Sequence, residues 1–123
     1  MTKTSVVIKY PGELAMYVTI DHTFGESENQ ILERVFEGFN GGSPNEHPEF
    51  IRQRCRSLSV GDFVNVNDTW YCCESMGWRK CEMSEPDDFN RQVLSHPKFD
   101  EWGAWTCAQD LRWNKSQISQ NGA

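Results

Sequence analysis

The chain has 123 residues, 12% of them aromatic and 24% charged, which suits one domain able to bury roughly two thirds of its unfolded surface without metal or disulfide staples. Its net charge of −6 and isoelectric point of about 5.0 exclude a protein whose main work is coating nucleic acid, since phosphate neutralisation needs clustered Lys and Arg. Five cysteines with no apolar leader ahead of them predict reduced thiols in a cytoplasmic protein, and no apolar run approaches the ~18 residues of a membrane span.

Residues 6–10 are β-branched and aromatic and run into Pro11-Gly12, which predicts a strand and a type II turn. From 14 to 21, Leu14, Met16, Val18 and Ile20 alternate with polar residues, so a second strand should complete an antiparallel hairpin. Ser27 and Gln30 have the form of a capping box, followed by Ile31, Leu32, Val35, Phe36 and Phe39 at helical spacing and by Asn40-Gly41-Gly42 as a stop. This amphipathic helix should lie across the hairpin. Between 11 and 50 there are eight acidic residues and one basic residue, Arg34. Glu33 and Glu37 lie one turn apart there and read as solvated charge rather than as a catalytic pair.

Residues 41–49 form a loop, and 50–55 allow one helical turn. A meander follows: 62–66, a two-residue Asn67-Asp68 turn, 69–74 and 78–83. Ser84, Pro86 and Asp87 have the chemistry of a helix start, and that helix ends before Pro97. The stretch 99–113 carries Phe99, Trp102, Trp105, Leu111 and Trp113 at partly helical spacing interrupted by Gly103; most of these rings are expected in the core. The fold class is α+β: a curved antiparallel sheet of about five strands, one amphipathic helix packed on it, and smaller C-terminal helices. Residues 1–113 make one domain, and 114–123 a frayed polar tail.

The most distinctive segment is Arg56-Ser57-Leu58-Ser59-Val60-Gly61-Asp62-Phe63-Val64. Gly61 supplies a positive φ, the Asp62 carboxylate accepts from nearby backbone N–H groups, and Val60, Val64 and Val66 bury the strand. Together with Phe36-Glu37-Gly38-Phe39-Asn40 before it and Gly77-Trp78 after it, the segment resembles small accessory proteins of actinobacterial phages and plasmids. The resemblance spans residues 31–78. It implies a mobile-element origin and a role in managing the host cell, and it assigns no catalytic residue. The Val-Gly-Asp turn is also similar to that of small β-barrels of the PUA and ASCH type, which implies RNA or nucleotide binding.

Cys72 and Cys73 are adjacent and should point to opposite faces of a strand, so they and Cys81 are expected as core thiols, with no metal site and no cofactor. His22, His47 and His96 are the available bases for a Cys-His pair, but no nucleophile motif, Walker loop or G-x-G-x-x-G is present, which disfavours an enzyme. Arg52, Arg54 and Arg56 fit either phosphate or this chain's own acidic helix around Glu33 and Glu37, and the internal pairing is preferred. The expected function is an accessory protein, with no catalytic residue, that binds and modulates a host protein such as a nucleic-acid-processing or defence protein, its acidic surface steering it to a basic partner. Nucleic acid and membrane are disfavoured as partners. The alternative is a small-barrel nucleic-acid or nucleotide binder using Arg52, Arg54, Arg56 and an exposed Trp78, so the candidate binding residues are these four with Asp62, Glu33 and Glu37.

Overall fold

The computed structural model describes residues 2–121, with side chains as far as Trp113. Strand β1 (Thr2–Lys9) pairs antiparallel with β2 (Met16–His22), placing Val6 opposite Val18 and Ile8 opposite Met16. Gly12 has φ of 86° in the intervening turn, the conformation that a glycine adopts without strain. The strand starts two residues later than the alternation suggested. Leu14 belongs to the turn, where it is 93% exposed, rather than to the buried row.

Ser27 caps helix α1 (Glu28–Gly38) with the reciprocal bonds of a capping box, Gln30 N–H to Ser27 Oγ at 3.2 Å and Ser27 N–H to Gln30 Oε1 at 2.8 Å. Its apolar stripe buries Ile31, Leu32, Val35 and the following Phe39 against Val6, Ile8, Val18, Ile20, Val64 and Val66 of the sheet. A short helix α2 (Pro48–Arg52) adds Phe50, whose ring meets Phe39 edge-on at 5.9 Å. Strand β3 (Phe63–Val66) returns beside β1 and turns through Asn67 and Asp68, both with positive φ, into β4 (Thr69–Glu74) and then β5 (Gly77–Lys80). The result is one open antiparallel sheet of order β2-β1-β3-β4-β5.

Alternation along β3 and β4 sends Phe63 and Cys72 to the face away from α1, where they cluster with Cys81, Trp70 and Phe89. Phe89 lies on helix α3 (Glu85–Leu94) and also joins Val93, Cys107 and Ala108, the seam between α3 and α4 (Phe99–Asn121). One ring therefore fastens the C-terminal helices to the sheet. At Gly103 the φ of 81° breaks α4 into a first turn and a longer run. The tryptophans there depart from the expected core: Trp102, Trp105 and Trp113 are 42%, 41% and 64% exposed, because small residues such as Cys107 and Ala108 form the seam instead. The backbone of 114–121 continues the helix, and the expected frayed tail falls beyond the described side chains. Among the described residues no helix is long and apolar enough to cross a membrane.

Candidate functional site

The turn that leads into β3 is built from the distinctive segment. Asp62 N–H donates to the Ser59 carbonyl at 3.0 Å with Gly61 at φ 94°, a type II turn, and Gly61 N–H and the Asp62 carbonyl both bond Cys73 across the ladder. Two residues thus face one, a bulge whose first residue is a left-handed glycine. Beneath it Asp62 is fully buried. Arg56 grips both of its oxygens, at 2.7 and 2.8 Å, and Ser59 N–H donates to Oδ2 at 2.8 Å. The Arg56 guanidinium is sandwiched between the Tyr10 ring at 4.5 Å and the Trp105 ring at 4.2 Å, while Tyr10 donates its hydroxyl to the Arg56 carbonyl. The segment closes on itself, so the expected bonding of Asp62 to backbone holds and its main partner is a guanidinium.

The three arginines consequently do not form a cluster. Arg56 turns inward to Asp62, Arg52 is exposed but pairs with Glu49 at 2.6 Å on its own helix, and Arg54, at φ 52°, is exposed with no ion pair among the described residues. Arg52 and Arg56 pair internally, but with the local carboxylates of Glu49 and Asp62 and not with Glu33 and Glu37, because α2 and the turn before β3 supply nearer ones. Trp78, expected to be exposed, is half-buried and packs against the main core, since its strand position puts it on the α1 side.

Glu33 and Glu37 stay exposed on the outer face of α1, beside the half-buried Phe36. With Asn40 and Ser43 they line a shallow groove of about 570 Å³. The one cation in it, Arg34, is held by Glu26 at 2.8 Å, and Asn45 donates to Glu37 at 2.6 Å. Lys3, Arg79, Arg91 and Lys98 are likewise held by carboxylates. Among the described residues the acidic side chains of Glu13, Glu33, Asp68, Glu82, Asp87 and Asp100 have no such cation.

The histidines use both ring nitrogens internally. His47 and His96 each precede a proline, and in both the N–H two residues on donates to Nδ1 at 3.0 Å, which fixes the proton on Nε2. Nε2 then donates to the Thr19 carbonyl at 2.8 Å in the first case and to Asp110 at 2.7 Å in the second. His22 donates Nδ1–H to the Thr23 carbonyl and accepts from Thr4. Burial pushes the Cys72 thiol up to about 12 and the Cys73 and Cys81 thiols to about 11, the reverse of what activates a nucleophile. No group of three or more His, Cys, Asp and Glu side chains is arranged to hold a metal among the described residues. No protein-family model matches the chain, and no curated protein or solved structure shows significant similarity to it.

Proposed function

We propose that the protein is an accessory binding protein that engages a basic surface of a host protein through the acidic outer face of α1. The observation that carries this reading is the pairing pattern: most described cations are committed to internal partners, whereas among the described residues Glu33 forms no ion pair and Glu37 accepts from the Asn45 amide with Arg34 only within electrostatic reach, on either side of Phe36. Carboxylates around a partly exposed aromatic ring suit Lys and Arg side chains, whose stems cover apolar surface while their charges meet acids. A mobile-element origin, and with it a host nuclease or defence protein as the target, rests on the Arg56–Val64 resemblance. The nucleic-acid alternative drew on three arginines and an exposed Trp78, and of these Arg54 alone is outward with no ion pair among the described residues.

Affinity capture from a host lysate compares the native protein with a Glu33→Lys, Glu37→Lys variant whose circular dichroism is unchanged. A basic protein retained by the native chain, eluted by salt and lost from the variant supports the reading. Capture of the same proteins by both forms, or of RNA or DNA instead, overturns it.

A further inference from the structure

Strand β5 closes one end of the sheet, with β4 as its single neighbour. Its ladder fixes which backbone groups face out. Cys73, opposite Trp78, turns both its N–H and its carbonyl to Asp62 and Gly61 of the bulge, and Cys81 N–H donates to the Trp70 carbonyl at 2.8 Å. Bonded and unbonded pairs alternate along an antiparallel ladder, so Gly77, Arg79 and Cys81 bond β4 while Trp78 and Lys80 direct N–H and C=O away from it. Trp78 is half-buried and the rest of the strand is exposed, and among the described residues no hydrogen bond reaches these outward groups. An edge of this kind accepts a further strand.

The side chains along the edge say which strand suits it. On the α1 side, Trp78 leaves part of its ring uncovered and Lys80 forms no ion pair among the described residues. On the opposite face, Arg79 is bracketed by Glu85 at 2.6 Å and Glu74 at 3.5 Å. An exposed methionine lies beyond each end: Met76 in the turn before β5, 93% exposed, and Met83 in the turn after it, 63% exposed. This pattern is complementary to its own reverse. In a two-fold antiparallel register centred on Arg79, Trp78 of one copy exchanges both backbone bonds with Lys80 of the other, so every outward group of β5 is paired. Each ammonium then faces an indole across the strands. Met76 of each copy comes to the Met83 end of the other, and the facing Arg79 side chains arrive with their carboxylates rather than as bare cations. A lysine on an edge deters an apolar strand, yet here it is the complement of a tryptophan one position removed from the two-fold axis.

We propose that a second copy of this chain docks on β5, joining the two sheets into one through an isologous antiparallel β5–β5 contact. So short an interface suits a reversible dimer rather than an obligate one. The contact is independent of the acidic groove on α1.

Sedimentation equilibrium of the full chain from about 1 µM to about 1 mM tests it, with amide hydrogen exchange at both ends of that range. The expected result is a monomer–dimer equilibrium in which the Trp78 and Lys80 amides gain protection as concentration rises and those of β2 do not. Lys80→Pro removes only an outward N–H, a place where an edge strand tolerates proline, and should weaken the dimer by roughly tenfold or more. Met76→Asp, at a fully solvated turn, should weaken it severalfold with an unchanged melting temperature, and serves if the proline variant fails to fold. Glu33→Lys, Glu37→Lys should still dimerise. A monomer throughout the range, a dimer indifferent to Met76→Asp, or protection that grows on α1 or β2 instead of β5 overturns the proposal.

Discussion

Arg56 and Asp62 form a two-pronged ion pair, at 2.7 and 2.8 Å, that ties the start of the distinctive segment to its end beneath the bulge opening β3. Its position between the Tyr10 and Trp105 rings links the hairpin, the turn and α4 at one guanidinium. The segment that looks most like a recognition motif is thus a brace, and its chemistry is directed inward.

Asp62→Asn should lower stability by about 3 kcal/mol, because it leaves Arg56 largely buried without its counter-charge. Urea denaturation measures it, and a loss well under 1 kcal/mol would show the pair to be dispensable. Arg56→Lys should also destabilise, since an ammonium can neither fork onto a carboxylate nor stack between two rings as a guanidinium does.

Gly61→Ala faces two obstacles. The φ of 94° is unfavourable for an L side chain, and a Cβ there would overlap the Arg112 guanidinium. A loss of about 1–3 kcal/mol is expected from the backbone alone. In a double-mutant cycle with Arg112→Ala, part of the loss should vanish, because the overlap is gone while the strained φ remains. Strict additivity would mean that the two groups do not touch in solution.

For Ser27→Ala the expected loss is about 1 kcal/mol, the usual cost of a helix N-cap. Gln30→Ala should remove the other half of the box and cost less, since it frees a single N–H at an exposed position. Thermal melts of both variants provide the check.

Alkaline pH should destabilise the protein through its thiols. Cys72, Cys73 and Cys81 titrate at about 12, 11 and 11 in the fold, above the ordinary thiol value of about 8.5 that they regain on unfolding. Below about 8.5 both states are protonated and the thiols do not affect the balance; between there and about 11 only the unfolded chain ionises, so stability falls as pH rises. Melting temperature against pH should decline across that window, and Cys72→Ala should make the decline shallower. A flat profile would contradict the burial of these thiols.

Local chemistry made much of the fold legible. The Ser27–Gln30 box, the Asn67-Asp68 turn with both residues at positive φ, and the opposite-facing Cys72 and Cys73 each depend on neighbours a few residues away. Leu14 misled because it kept the alternation of the strand while lying in a turn that runs to Ala15 before β2 begins. The direction of Arg56 was not legible: a bulge and a type II turn reverse the chain between it and Asp62, and two of its three aromatic or acidic partners, Tyr10 and Trp105, are remote in sequence. Glu33 and Glu37 were legible as solvated acids, while the groove beside them depends on where the 40–43 loop lies.

The imidazole of His47 has a consequence for how copies of this protein meet. Strand β2 is an end strand, and the Thr19 carbonyl that it turns away from β1 is occupied by His47 Nε2–H. A side chain thus blocks a place where a foreign strand would add to the sheet, a means by which open sheets resist aggregation. Loss of this ring would remove the stack on the buried Phe39 and the cap of α2, and it would also leave an unpaired backbone rung beside the exposed Tyr17, so intermolecular stacking that rises with concentration is expected besides a loss of stability.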